Sequence, residues 1–389
     1  MQPASRVYLD NQATTRCDPR VVDAMLPWFT EAYGNPHSVE HAMGREAEAA
    51  VETAREQVAA LIGAQANEIV FTSGATESNN IAIKGAARHA LRMGDDRRRI
   101  VTLATEHKCV LQSVADLADE GFEPVFLPVD ADGLLDLDRL RAALAEPTLL
   151  VSVMAANNEI GVLQPLAAIA EIVKAAGALL HTDAAQAAGK TQVDVGVGID
   201  LLSLSGHKLH GPKGVGALYV RRRPRVRVAP LFSGGGQERG LRSGTLPAPL
   251  AVGLGEACRL AWAQMVGDAA RATELRDRLL AGLSAAIPGL RVNGAMSPRL
   301  PGNLNVTFPA VTAVRLMEAV PELCVSTGSA CSSATIEPSY VLRAIGLSDE
   351  EAARSLRFGI GRFTSAADID FAIAALADAH ATCAAREAA

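Results

Sequence analysis

Apolar residues along this chain fall into two rhythms. Short, near-continuous runs rich in Val, Ile and Leu occupy the segments "EIVFTSGATES", "IVTLATEHK", "TLLVSVMAANNEIG", "ALLHTDAAQ", "DLLSLSGHK" and "GVGALYVRR". Each run gives way to polar or glycine-bearing residues, as expected of a strand buried on both faces. Ala-rich stretches of helical character separate them, such as "LAAIAEIVKAAG", which ends at Gly177. Strands alternating with helices predict an α/β protein with a largely parallel sheet. Ligands of such sheets gather at the carboxyl ends of the strands, and the polar clusters fall there.

The pattern changes after "SGGGQERGLRSGT" (Ser233 to Thr245). A long helix is expected over roughly Ala248 to Leu283. It leads to "LNVTFPAV", a cysteine-bearing loop, and a final strand and helix in "LRFGIGRFTSAADIDFAIAALADAH". This reads as a smaller α+β domain. A length of 389 residues is too great for one ordinary core and accommodates two domains. No internal repeat or low-complexity linker intervenes, and the last residues read as a frayed helix end.

Composition narrows the picture. The chain is 49% hydrophobic and 21% charged, which is globular. With aromatics at 4%, the core must rest on Ala, Leu, Val and Ile. The formal net charge is −6 and no basic stripe favours nucleic acid. The densest basic run, "RRRPRVRV" (Arg221 to Val228), reads as a solvated strand end or a partner surface. No apolar stretch approaches the ~20 residues that span a bilayer, and "MQPASRVYLD" lacks a signal-peptide core. Cys17, Cys109, Cys258, Cys324, Cys331 and Cys383 are scattered without a C-x-x-C pair. That favours free thiols in a reducing compartment, with the cytoplasm as the expected location.

Several clusters carry chemistry. "SGATESNN" places Ser73, Gly74, Ala75 and Thr76 before a helix, where free N–H groups and small residues bind phosphate; a plain N-cap by Thr76 is the competing explanation. "HTDAAQ" puts Asp183 at a strand end, where a carboxylate needs a cationic partner such as a protonated pyridine nitrogen. "SGHKLHGPKGVG" offers Lys208 and Lys213 as competing Schiff-base lysines. His207 and His210 in it lack further ligands at metal spacing, so no metal is expected. His107 in "ATEHK" follows a strand, where its ring can stack on a planar cofactor; a satisfied polar core histidine is the competing explanation. Together, a phosphate cradle, a stacking ring, a strand-end acid and a glycine-framed lysine are what pyridoxal 5'-phosphate requires.

The motifs "YLDNQATT", "YGNPHS", "FTSGATES", "TEHK", "NNEIG", "HTDAAQ", "SGHKLHGPKG", "GGGQERGLRSGTLP", "STGSACSSA", "EPSYVL" and "LRFGIGRFT" run in order from Tyr8 to Thr364. They closely resemble those of the cysteine desulfurases of the NifS/IscS type, pyridoxal-phosphate enzymes of fold type I in the class V aminotransferase group. The fold implied is that of the PLP-dependent transferases. Its large domain has a mostly parallel seven-stranded sheet flanked by helices, and a smaller α+β domain accompanies it. The resemblance divides the chain into a large cofactor domain, residues 16–258, and a small domain, residues 1–15 and 259–389, that carries the cysteine loop.

The resemblance also implies a role for each matching residue. Lys208 is the lysine that holds the cofactor aldehyde. Asp183 partners the pyridinium, and Gln186 the phenolic oxygen. His107 is the stacking ring and an acid/base candidate. Thr76, Ser205 and His207 hold phosphate, with Ala75 at the same turn, and Thr245 reaches the phosphate from a neighbouring subunit of a homodimer. Asn158 and Arg357 face the substrate carboxylate, although on charge alone Arg354 or Arg362 competes with Arg357. Cys331 receives sulfur from L-cysteine, leaving L-alanine and a persulfide for an acceptor such as an iron–sulfur scaffold or a tRNA-thiolation relay. Its small neighbours let the loop move and a partner approach. The other five cysteines are expected to be packing or incidental residues. A selenocysteine lyase or a small amino-acid aminotransferase shares the cofactor apparatus, and a catalytically silent assembly protein is a rival of another class. Housekeeping members carry a longer C-terminal extension, so weak docking to a standard scaffold is expected here.

Overall fold

The computed structural model describes residues 6–327 and 338–387, so Cys331 and its neighbours lie outside the described residues. The strands are β1 (Val7–Tyr8), β2 (Ile69–Thr72), β3 (Arg99–Leu103), β4 (Glu123–Leu127), β5 (Thr148–Ser152) and β6 (Leu179–Asp183). They continue with β7 (Leu201–Ser205), β8 (Gly216–Val220), β9 (Arg291–Val292), β10 (Asn303–Thr307), β11 (Leu323–Cys324) and β12 (Ser355–Gly359).

Seven of these form one sheet in the order β2-β8-β7-β6-β5-β3-β4. The neighbours from β7 through β4 pair in parallel, whereas β8 runs antiparallel to both β7 and β2. Six of its strands are those anticipated from apolar runs. The seventh, β4, has no such apolar signal because it is an edge strand: it contains Pro124, leaves Glu123 and Phe126 exposed, and buries only Leu127.

Alternate strand residues feed two helical layers. Phe71, Val101, Val151 and Leu202 pack against the helices Ala42–Leu61, Leu166–Ala175 and the first part of Ala248–Ala286. Val70, Ile100, Leu150 and Leu201 pack against Ala75–Arg92 and Lys108–Asp116. Removing both faces from water is the main stabilising term at roughly 25 cal/mol per Å². Gly177, at φ +69°, follows the end of Leu166–Ala175 in the left-handed conformation that closes a helix.

A second hydrophobic cluster lies around the antiparallel sheet β12-β10-β9, with Leu304, Phe308, Leu356 and Phe358 fully buried. The helices Ala313–Ala319 and Ala366–Glu387 cover it. Val7 and Leu9 belong to this cluster although they begin the chain, because β1 pairs in parallel with β11. The long helix Ala248–Ala286 joins the two units: Leu254 and Cys258 pack with the large sheet, Leu279 and Leu283 with the small one.

Candidate active site

A cavity of about 450 Å³ opens at the carboxyl ends of the parallel strands. It collects ten of the expected site residues: Ala75, Thr76, His107, Asn158, Asp183, Gln186, Ser205, His207, Lys208 and Arg357. Their positions follow from the strand-to-loop junctions. Asp183 closes β6, Ser205 closes β7, and His207 and Lys208 lie in the short turn after it.

One wall is the start of the helix Ala75–Arg92. Its N-cap is Gly74, with no side-chain hydrogen bond to the cap, so Thr76 is not the N-cap. The leading N–H groups therefore present the positive end of the helix dipole to the cavity. Gly74 has φ +153°, a backbone favouring glycine, and Ser205 Oγ lies near where a Cβ would stand. His207 closes this end, with Nδ1 3.1 Å from Thr14 Oγ1. Burial, then the charges of Lys208, Lys213 and Lys190, holds its imidazole down at about 4, hence neutral. Lys208 and Lys213, which line the same cavity as the uncapped helix start, complete a site that can hold a phosphate.

Asp183 forms the opposite end. Its Oδ1 accepts from the Ala185 N–H at 2.9 Å and its Oδ2 from Asn79 Nδ2 at 2.7 Å. A carboxylate retains further acceptor capacity beyond these two bonds, enough for a ring N–H⁺. Lys208 Nζ donates to the carbonyls of Gln12 and Ala13 at 2.6 and 2.7 Å. Lys213 also lines the cavity but is exposed. Gln186 Nε2 donates to the Gln12 carbonyl at 2.9 Å, and Lys190 Nζ donates to Gln186 Oε1 at 3.2 Å. Burial, followed by the Lys208 and Arg357 charges, pushes Lys190 down to about 7.

The second unit supplies Arg357 from β12. The side chain is almost fully buried, pairs with Asp10 at 2.8 Å, and donates to the Asn158 carbonyl at 3.0 Å. Asn158 Oδ1 is buried with no hydrogen-bond partner among the described residues. An orphaned acceptor beside a cavity guanidinium suits a ligand carrying both a carboxylate and a donor. Of the competing arginines, Arg354 pairs with Glu350, while Arg362 pairs with Asp18 and Asp268; neither lines this cavity.

Thr245 is exposed and does not line its own chain's cavity. Sequence reasoning missed Gln12, Asn79, Cys109 and Glu159. Glu159 borders the cavity, accepts from Ser339 Oγ at 2.5 Å, and is raised by burial above the usual carboxylate range. Cys109, expected to be incidental, is instead a cavity wall residue. Only its position two residues after His107 signalled this. Among the described residues no group of three His, Cys, Asp or Glu side chains is placed to hold a metal, and no helix is long and apolar enough to cross a membrane.

An uncapped helix start and a strand-end carboxylate share one cavity at the edge of a mostly parallel sheet, and comparison with known proteins places the chain in a family. A family model described as "Aminotransferase class-V" matches residues 7–371. The chain is 56% identical over 371 residues to "Cysteine desulfurase, mitochondrial" of Arthroderma benhamiae, covering 95% of this chain and 73% of that one. It is 53% identical over 368 residues to "Cysteine desulfurase IscS" of Rickettsia akari, covering 94% and 89%. A solved "NIFS-LIKE PROTEIN" superposes with a TM-score of 0.88 at 37% identity, covering 96% of this chain and 98% of that one. The chain belongs to the class-V aminotransferases, and within them to the cysteine desulfurases.

Proposed function

We infer that this chain converts L-cysteine to L-alanine, with pyridoxal 5'-phosphate held in the cavity and the sulfur left as a persulfide on Cys331. The observation that carries the reading is the single cavity uniting His107, Asp183, Lys208 and Arg357. The helix start at Ala75–Thr76, with Ser205 and His207, would hold the phosphate; Asp183 and Gln186 would hold the ring; Lys208 would hold the aldehyde. The donor set supports this fit: uncapped N–H groups at one end, a carboxylate with spare acceptor capacity at the other. Bound there, the group would supply an electron sink for negative charge at the substrate Cα.

The chain's own residues do the rest. Arg357 and Asn158 orient the substrate carboxylate. The Lys208 amine takes the Cα proton, and His107 serves proton traffic beside it. The Cys331 thiolate attacks the substrate sulfur: an S–S bond forms, the Cβ–S bond breaks, Cβ takes up a proton, and the proton held by Lys208 returns to Cα to complete alanine.

Further parts of the reading concern the whole protein. The cavity draws Arg357 from the second hydrophobic unit, which supports a large domain of residues 16–258 and a small domain formed by 1–15 and 259–389. The division falls inside Ala248–Ala286, where packing passes from one cluster to the other. A homodimer with shared sites is supported by Thr245, exposed in its glycine-rich loop. The sulfur acceptor is an iron–sulfur scaffold or a thiolation relay, for which the basic groove containing Arg222, Arg225 and Arg227 offers one surface. Free cysteines among the described residues support a reducing, cytoplasmic setting.

Cys331→Ser tests the central claim. The variant should still take up the cofactor and show its visible absorption, and adding L-cysteine should still change that spectrum. Alanine and sulfide should not accumulate, because a hydroxyl cannot accept sulfur as a persulfide. Turnover at the wild-type rate without added thiol would remove Cys331 from the mechanism.

A further inference from the structure

We propose that Cys109 is a positioning residue for His107, at the end of a hydrogen-bonded chain Asp183–Asn79–Cys109–His107 that fixes which ring nitrogen of His107 carries the proton. The inference rests on the reading of this cavity as a desulfurase site, since it assigns the protonation of a group in that site. Asn79 is fully buried, and its Nδ2 lies 2.7 Å from Asp183 Oδ2 and 3.2 Å from Cys109 Sγ. An amide nitrogen can only donate, so the carboxylate oxygen and the sulfur both accept from it. The reverse orientation would set the amide oxygen against the Asp183 oxygen, so the assignment of the amide is fixed by its surroundings.

The next link is at the ring. Cys109 Sγ lies 3.0 Å from His107 Nδ1, and the backbone N–H of Cys109 donates to the same nitrogen at 3.2 Å. A nitrogen that receives a backbone N–H carries no proton of its own. The neutral ring therefore holds its hydrogen on Nε2. The thiol points its own hydrogen the same way: Sγ accepts from Asn79 on one side and donates to Nδ1 on the other. Its donation is the shorter of the two contacts that Nδ1 receives.

The consequence is chemical. With Nδ1 occupied, His107 enters the reaction cycle as an N–H donor at Nε2, so in its resting form it delivers a proton and does not abstract one. The same contact caps the helix Lys108–Asp116 through Nδ1, tying the ring orientation to the start of that helix. Through Asn79 the ring is joined to the acid that would face the cofactor nitrogen.

The test uses the protein with ¹⁵N-labelled histidine, with and without pyridoxal 5'-phosphate. Long-range proton–nitrogen spectra report the tautomer, and His107 is assigned by the signal lost in His107→Gln. Wild type and Cys109→Ser, which keeps a donor on the side chain, should show the proton on Nε2. Cys109→Ala keeps the backbone N–H and should keep the Nε2 proton, but with the thiol gone its Nδ1 resonance should shift from that of wild type, and its kcat for L-cysteine should fall roughly fivefold to tenfold with KM little changed, the worth of one hydrogen bond. A wild-type ring protonated on Nδ1 overturns the proposal, as does a Cys109→Ala Nδ1 resonance that is unchanged from wild type. The spectra need no turnover, so a failure of the desulfurase reading, seen with Cys331→Ser, leaves this result standing by itself.

Discussion

His181 lies inside β6, two residues before Asp183, with Nδ1 2.8 Å from Ser152 Oγ and Nε2 3.2 Å from Ser203 Oγ. Burial pushes its imidazole down to about 4, against a smaller upward pull from the Asp183 charge. The unfolded chain binds that proton near ~6.5, so between those values the unfolded state holds more protons than the folded one. Stability from this group is therefore present above the window and is lost as pH falls from ~6.5 towards 4, by up to about 1.4 kcal/mol per pH unit. His210, pushed to about 4 by burial, acts in the same sense. Glu106 has the opposite sign: burial raises it, so its contribution declines as pH rises. His181→Gln removes one titration while keeping an amide between the two serines. It should cost about 1–3 kcal/mol at pH 7.5, and that deficit should shrink at pH 5. Urea unfolding of both proteins at the two pH values checks this; an equal deficit at both would show that His181 does not titrate on unfolding.

At the next scale, elements meet at the turn that starts the helix Ala75–Arg92. Gly216, the first residue of β8, faces that turn: a Cβ there would stand 2.4 Å from the Leu204 carbonyl oxygen and 2.7 Å from Gly74 Cα. Both obstacles are backbone, so no side chain can give way. Gly216→Ala should therefore displace the turn, cost about 1–3 kcal/mol, and weaken pyridoxal 5'-phosphate binding in an absorbance titration. Wild-type affinity at reduced thermal stability would separate this turn from the phosphate site. The same elements show what the sequence made legible. Asp183, Ser205, His207 and Lys208 could be placed because each ends or follows an apolar run, and a parallel sheet sends such positions to one edge. The strand β4 could not, since edge exposure and Pro124 break its apolar signal. Nor could the direction of β8, because a buried run reads alike either way along the chain. The Asn79–Cys109 contact joins residues 30 positions apart and exists only once two helices pack. Asn158 and Arg357 needed the family resemblance, as nothing local marks a buried arginine in a strand as a ligand-facing one.

For the whole molecule, the glycine-rich loop before Ala248–Ala286 raises the question of assembly. Glu238 in it adopts φ +48°, and Arg239 φ +58°, both left-handed for residues with side chains. The strain is held by Arg55, whose two terminal nitrogens each lie 2.8 Å from a Glu238 oxygen, both side chains being buried. Glu238 also accepts from the Phe71 N–H at 2.6 Å, fixing the loop to the sheet edge. A loop anchored this firmly by its middle, yet leaving Thr245 exposed and outside its own cavity, suits delivery of that hydroxyl to a second copy's site. Mixing subunits carrying Lys208→Ala with subunits carrying Thr245→Ala tests the arrangement. In a mixed dimer one cavity receives both defects, while the other combines an intact Lys208 with an intact Thr245 from across the interface. Random exchange should then restore activity at about a quarter of all sites, whereas either parent alone stays impaired. If mixed dimers form by mass spectrometry and no activity returns, each cavity is complete within one chain and Thr245 has no part in its neighbour's site.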